Sequence, residues 1–392
     1  MRSIKDETNL NQKTVLLRLD LNVPLDNGKI TDTTRIDKIL PTINFLLKGG
    51  AKIIILSHVG RPKGKVVNEL SLKPICKNLK NKLNENIRLI SKNIKKIKST
   101  DLFNEDNEKI VILENLRFYE EEEKNDNGFS KHLANLADIY VNDAFSCSHR
   151  MHASIFEITK FIPSYAGLQL NLEINALTKI TSEIQKPITC IIGGSKISSK
   201  INIIKNLIPK FDNIIIVGGM ANNILKYQGY EIGKSLQEDD CNQIIEEIFS
   251  LSKKENCKIL YPEDVVTGKT LNGLPEVKEF ENITKDDLIL DIGPKTIKTI
   301  NDLIDKSNTI LWNGPAGYFE NPDFAKGSIE IAKKIVEKNK NNTIYSVAGG
   351  GDTVTLLNSI AATNNFNFVS TAGGAFLEYL EGKELPGIKA LN

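Results

Sequence analysis

The sequence predicts an α/β protein made of two doubly wound domains, each around a mostly parallel sheet, with a long helix between them. Three observations carry this. Short apolar runs alternate with helix-period patterns through both halves of the 392-residue chain, the signature of βα units. Almost every apolar run of the second half empties into glycines, as at Gly193-Gly194, Gly218-Gly219, Gly314, Gly349-Gly350-Gly351 and Gly373-Gly374. Between the two series Ala166–Gln185 reads as one continuous helix, which Pro187 breaks.

In order, Thr14–Val23 reads as a strand closed by Pro24 and the Asn27-Gly28 turn. Thr34–Leu47 is a helix stopped by Gly49-Gly50. Lys52–Ser57 is a continuous apolar strand, as in a sheet covered on both faces, and H-V-G-R-P-K-G (His58–Gly64) loops from its end. Ile87–Ile90, Lys109–Leu113 and Ile139–Val141 add further strands. After the long helix come Ile188–Ile192, Ile214–Val217, Ile259–Tyr261, Leu288–Ile292, Thr309–Trp312, Thr343–Val347 and Phe366–Ser370. Open parallel sheets bind ligands at the carboxyl ends of their strands, so the glycines mark a crevice there. The charged runs Lys92–Lys98 and Glu120–Glu123 read as a solvated face and an exposed loop.

Composition narrows the function. A net charge of +2 argues against a general polyanion binder, so no nucleic acid partner is expected. Five scattered cysteines without C-x-x-C suit neither a disulfide framework nor a zinc site, and fit a reducing compartment. The start M-R-S-I-K-D-E-T-N-L lacks an export pattern, and no apolar run is long enough to span a membrane, so a cytoplasmic protein with no membrane partner is expected. All seven arginines (2, 18, 35, 61, 88, 117 and 150) lie in the first 150 residues, although lysine is abundant throughout. A chain that otherwise prefers lysine keeps arginine where a planar bidentate fork is needed, which points to a carboxylate or phosphate site in the N-terminal half.

Specific residues follow. In I-I-G-G-S-K-I-S-S-K (Ile191–Lys200) a strand, a tight turn and a helix start bring Lys196 and Lys200 four apart, on one face if the helix has begun. These residues suit a phosphate site. They also suit an ordinary strand–helix turn with two surface lysines, because the G-x-x-x-x-G-K-[ST] loop is absent. A-G-G-G-D-T (Ala348–Thr353) offers backbone N–H groups to phosphate oxygens and Asp352 to a magnesium ion, with a structural glycine turn as the alternative. W-N-G-P-A-G-Y-F-E offers Asn313 and Glu320 to a base or ribose. Arg18, Asp20 and Asn22 alternate along one strand and share a face. Arg35 opens a helix, and Arg61, Arg117 and Arg150 stand in separate loops. His58 suits anion contact; His132, His149, His152 and the cysteines read as structural.

Together R-L-D-L-N-V-P-L, D-T-T-R-I-D-K-I-L-P-T-I, S-H-V-G-R-P-K-G, L-E-N-L-R-F-Y-E-E-E-E, V-N-D-A-F, G-G-S-K-I-S-S-K, W-N-G-P-A-G-Y-F-E, G-G-G-D-T and L-E-G-K-E-L-P-G resemble the phosphoglycerate kinase family over essentially the whole chain. The resemblance implies two α/β domains facing a cleft that a hinge closes. Residues 1–170 would bind 3-phosphoglycerate or 1,3-bisphosphoglycerate, 171–186 form the hinge helix, 187–379 bind the nucleotide, and 380–392 return to the N-terminal domain. It implies reversible transfer of the acyl phosphate of 1,3-bisphosphoglycerate to MgADP, giving 3-phosphoglycerate and MgATP, by a glycolytic monomer. Asp20 and Asn22 would hold the glycerate part, and His58, Arg61, Arg117 and Arg150 its 3-phosphate. Arg35 and Lys196 would flank the phosphoryl group in flight, with the N–H groups of Gly373 and Gly374 facing it. Lys196, Lys200, Gly219, Asn313, Glu320, Gly350, Gly351, Asp352 and Thr353 would contact the nucleotide, and Asp352 its Mg2+.

Such chemistry needs positioning and charge neutralisation more than an acid or a base. The chain departs from the family pattern at Ala372, where a third glycine is usual, at Phe376, where a small polar residue is usual, and in S-C-S-H-R and N-L-E-I-N. Ala372 matters most, since a Cβ hinders a turn with positive φ. Two rival readings are a kinase of another carboxylate or acyl phosphate, which its acceptor would reveal, and a two-lobed anion-binding protein, against which Lys196, Lys200 and Asp352 count.

Overall fold

The computed structural model describes residues 1–104 and 107–392. It divides into two units, Met1–Asn175 with Glu384–Asn392, and Ala176–Lys383. The chain passes from the first to the second within the helix Leu168–Thr181.

The first unit holds a six-stranded sheet in the order Ile87–Ile90, Ile110–Leu113, Lys52–Leu56, Thr14–Leu19, Ile139–Asp143, Ser164–Ala166, with every pair parallel. Its strands are buried on both faces, and their side chains alternate between two cores. Val15, Leu17, Ile53, Ile55 and Val141 join one core; Leu16, Ile54, Val111 and Tyr140 join the other. Strand order reverses at Thr14–Leu19, so the loops after it and after Ile139–Asp143 leave the sheet side by side. The C-terminal segment belongs to this unit: Gly387 N donates to Ser148 O at 2.8 Å.

The second unit repeats the plan with the order Lys258–Leu260, Asn213–Ile216, Ile188–Ile192, Thr309–Asn313, Tyr345–Gly349, Phe368–Ser370, again all parallel. Here the reversal falls between Ile188–Ile192 and Thr309–Asn313. The loops beyond them cross so closely that a Cβ on Gly193 would collide with the Pro315 carbonyl oxygen, and one on Gly314 with the Gly193 carbonyl.

Several elements differ from the sequence reading. Leu288–Ile292 is a strand, but it lies in a separate antiparallel sheet with Val265–Gly268 and Glu276–Lys278, two strands too short and too mixed in polarity to show alternation. Ser164–Ala166 escaped notice for the same reason. The connecting helix is shorter than Ala166–Gln185. The Asp143 carboxylate accepts from Leu170 N at 2.8 Å at its start, and Ser182 and Glu183 N both turn back to Thr178 O, at 2.8 and 2.9 Å, at its end. The helix after G-G-S-K begins only at Ile201, so Lys196 lies in an irregular loop and shares no helical face with Lys200. The acidic run is a helical turn, Glu120–Glu123, in which Glu122 is wholly buried. In Lys92–Lys98 the lysines are exposed while Ile94 and Ile97 anchor the turn in the core. Among the described residues no helix is long and apolar enough to cross a membrane.

Candidate active site

In the first unit basic groups gather beyond the carboxyl ends of the central strands. Arg18 is buried. Its Nε donates to Ser154 Oγ at 2.9 Å, its Nη1 donates to Leu19 O, and its Nη2 donates to His58 Nδ1 at 3.1 Å. Guanidinium accepts nothing, so His58 Nδ1 is the acceptor and the ring proton belongs on Nε2. Burial, then the charges of Arg18, Arg117, His152 and Arg35, holds the His58 pKa well below its ordinary value. The same forces, burial first and then Arg117, Arg18, Arg150 and His149, hold His152 down to about 3. Both rings are neutral at pH 7, in a field of fixed positive charge.

Asp20 and Asn22 lie in the extended segment just past the strand rather than within it. Arg35 Nη1 reaches both Asp20 carboxylate oxygens, at 3.0 and 3.2 Å, and Asn22 O at 2.9 Å. Asn22 Oδ1 accepts from Gly60 N at 2.9 Å, while Arg117 Nη1 donates to Gly60 O at 2.9 Å. The strand end, the His58 loop and the Arg117 turn are thus tied together. Arg61 and Arg150 are exposed and have no carboxylate partner among the described residues. Among the described residues no hydrogen bond or ion pair joins Arg61 to the cluster. His149 and His152, read as structural, belong with these groups. The spacing H-R-x-H was the available signal: it brackets Arg150 with both rings.

In the second unit two adjoining cavities share Gly194, Ser195, Pro315 and Asp352. The apolar one, about 290 Å³, is walled by Leu236, Val265, Leu290, Pro315 and Phe319, with Gly219 and Glu320 also on its lining. Asp291 also lines it; burial pushes its carboxyl up to about 7, although Gly327 N and Ile292 N donate to it at 2.7 and 2.9 Å. The polar one, about 250 Å³, is lined by Lys200, Asn313, Gly350, Gly351, Thr353 and Gly373.

The Asn313 amide, offered by the sequence to a base or ribose, is engaged within the chain. Its Oδ1 accepts from Lys200 Nζ at 2.6 Å and its Nδ2 donates to Gly349 O at 2.6 Å, which commits the amide to the polar cavity. Burial draws the Lys200 pKa downward, against Cys190 and Asp352, which raise it. Thr353 Oγ1 accepts from Gly314 N at 2.7 Å and so joins the two glycine loops. Gly350, at φ 102°, turns the chain into the helix Gly351–Ser359, whose first N–H groups face the cavity with no side-chain cap. Lys196 is exposed in its loop and has no ion-pair partner among the described residues.

Two of the departures from the family pattern, Ala372 and Phe376, have a structural account. Ala372 sits at φ −98°, ψ 81°, where an L side chain fits without strain, and caps the helix Gly373–Leu380. Phe376 is fully buried against Gly349, where a Cβ would meet its ring at 2.6 Å. The larger side chain fills the space that this glycine leaves.

Moving a phosphoryl group between two anions takes a cationic site for each and little that must gain or lose a proton. Small-molecule phosphotransferases form the class to which the two units conform. The phosphoglycerate kinase family model matches residues 4–383. Phosphoglycerate kinases of a Wolbachia from Brugia malayi and of Dictyoglomus turgidum are each 44% identical, over 98% and 99% of this chain and 97% of theirs. The structure of phosphoglycerate kinase from Coxiella burnetii superposes with a TM-score of 0.90 at 39% identity, covering 99% of this chain and 98% of that one. The enzyme from Pyrococcus horikoshii gives 0.83 at 27% identity, over 100% and 98%. The chain belongs to the phosphoglycerate kinase family. It is a kinase of glycolysis and gluconeogenesis, exchanging a phosphoryl group between 1,3-bisphosphoglycerate and ADP on one side and 3-phosphoglycerate and ATP on the other.

Proposed function

We propose that the basic cluster of the first unit holds the glycerate substrate and the double cavity of the second holds the nucleotide. Charge is the observation that supports this division. Among the described residues no carboxylate neutralises the guanidiniums of Arg61 and Arg150, and the Nε2–H of His58 is left to donate. Arg117 and Arg150 complete the 3-phosphate site, and Asp20 and Asn22 hold the glycerate hydroxyl and carboxyl. In the second unit the apolar cavity suits a nucleoside. Lys200, Thr353 and the N–H groups at Gly350 and Gly351 suit its phosphates, and Glu320 and Gly219 line the nucleoside end.

Arg35 and Lys196 then supply positive charge to the phosphoryl group in transit, and Gly373 and Gly374 supply backbone N–H groups at a helix start. A cation placed this way is worth on the order of 10³–10⁵ in rate. The leaving group is a carboxylate in one direction and ADP in the other, so neither direction obliges a general base.

Among the described residues no three His, Cys, Asp or Glu side chains form a metal cage. A lone exposed Asp352 at the polar cavity fits a magnesium ion held by one carboxylate and the nucleotide's own phosphates, whose charge the ion would offset. The protein acts in the cytoplasm as a monomer, with residues 171–186 as its hinge.

The test is ATP- and 3-phosphoglycerate-dependent NADH oxidation in a coupled assay, for wild type and Lys196→Ala. Activity in the wild type and its near-complete loss in the variant are expected. A fully active variant removes Lys196 from the reaction.

A further inference from the structure

The loop Gly193–Lys200 carries Lys196 and Lys200, yet it has no regular structure, and the helix it leads into begins without a side-chain cap. What holds it comes from elsewhere in the chain. Ser198 N and Ser198 Oγ donate to the two carboxylate oxygens of Glu238, at 3.0 and 2.6 Å. Burial pulls the Glu238 pKa up, but the bonds from Ser198 and the charge of Lys196 outweigh it, and the carboxylate stays ionised.

Glu238 is itself fixed. Its N donates to Asn223 Oδ1 at 2.8 Å, and Asn222 Nδ2 donates to Leu236 O at 2.9 Å; both asparagines are buried in the helix Gly219–Tyr227. That helix grips the loop from its other side, where Met220 N donates to Gly194 O at 2.9 Å. At its start, a Cβ on Gly219 would meet Leu236 Cδ2 at 2.9 Å and Ser195 Cα at 3.4 Å. Leu236, two residues before Glu238, is half exposed and lines the apolar cavity.

We propose that Glu238 is a positioning residue for phosphoryl transfer, acting through Ser198 to hold the loop that presents Lys196 and tying that loop to the Leu236 wall of the apolar cavity. The inference rests on the role proposed above for Lys196. Glu238 touches no reacting atom. Its effect belongs in kcat, because the cavity that binds the nucleotide remains when the tether is gone.

The experiment uses the full chain with Lys196→Ala, Glu238→Ala, Glu238→Gln and the Lys196→Ala/Glu238→Ala pair. It measures kcat, both KM values and equilibrium ATP binding. Misplacing a catalytic group by about 1 Å costs up to about 100-fold, so Glu238→Ala is expected to lower kcat by about 10- to 100-fold while both KM values and ATP binding hold. Glu238→Gln should recover most of the rate, since its amide oxygen still accepts from Ser198 N and its NH2 can donate to Ser198 Oγ. In the Lys196→Ala background, removing Glu238 should cost nothing further. A wild-type kcat in Glu238→Ala, an equal loss in Glu238→Gln, or losses that multiply in the double variant would each overturn the proposal. If Lys196→Ala is itself fully active, the reading of Lys196 fails, and this inference with it. If Lys196→Ala is impaired and Glu238→Ala is not, only this inference fails.

Discussion

Arg18 and Glu122, both buried, meet through one hydroxyl: Ser154 Oγ accepts from Arg18 Nε at 2.9 Å and donates to Glu122 Oε1 at 2.6 Å. Ser154 N donates to the other Glu122 oxygen at 3.0 Å, and Tyr140 OH donates to Ser154 O at 2.6 Å. Burial pushes the Glu122 pKa up, against Arg18 and Ser154. The carboxylate offsets the charge of Arg18 and so supports the face that Arg18 offers to His58.

Glu122 is one of the opposite charges that face the buried Arg18, and removing it leaves the guanidinium less compensated. Glu122→Ala should therefore destabilise the protein by about 3–5 kcal/mol. Urea denaturation of the full chain measures it. A loss below about 1 kcal/mol, the scale of an exposed pair, would show that Arg18 is compensated elsewhere.

Arg61 is exposed and has no ion-pair partner among the described residues, so its truncation costs the fold little. If it binds the 3-phosphate, Arg61→Ala loses a charge-assisted bond of about 1.5–3 kcal/mol, and KM for 3-phosphoglycerate rises by about 10- to 100-fold. Nucleotide KM should not move; an equal rise in both would contradict the division of substrates between the units.

Ala372 has negative φ, so the glycine usual in the family brings no geometric advantage here. Ala372→Gly should leave kcat unchanged and lower stability by about 0.4–1 kcal/mol through the freer unfolded chain. A clear gain in kcat would mean that the methyl group obstructs the transferred phosphate. Phe376→Ala, by contrast, opens a cavity against Gly349 and should cost about 3–5 kcal/mol in thermal or urea unfolding.

His152 has a folded-state pKa of about 3 against an ordinary 6.5, and His58 is shifted the same way. The unfolded chain therefore binds protons that the folded chain refuses. The stability these rings contribute is complete above about 6.5 and is lost as pH falls from there towards 3. Thermal midpoints should drop across that window, and His152→Gln should flatten the slope. An unchanged slope in the variant would place the acid sensitivity elsewhere.

Much of the fold was legible because its signals are local. Ile188–Ile192 and Lys52–Leu56 announce buried parallel strands by composition alone, and Gly193-Gly194 marks a loop that lines a cavity. Arginine confined to the first half of a lysine-rich chain marked the groups that the first unit gathers around His58: Arg18, Arg35 and Arg117. The antiparallel sheet was not legible, since Val265–Gly268 and Glu276–Lys278 are too short to carry a period. The burial of His152 and the charges around it were not legible, since the spacing H-R-x-H shows that Arg150 is close but not that Arg18 and Arg117 are.

The sequence by itself determined the two α/β series and many of the residues that the structure brings together in each unit. Periodicity, glycine freedom and residue choice act within a few positions of one another. Only the tertiary structure decided that Glu122 leaves its acidic run to face Arg18, and that the Asn313 amide turns to Lys200 and Gly349. It also decided that Lys196 stands in a loop and that Glu238 holds that loop in place. Burial and charge compensation depend on residues far apart in the chain, and their energies exist only once those residues have been brought together.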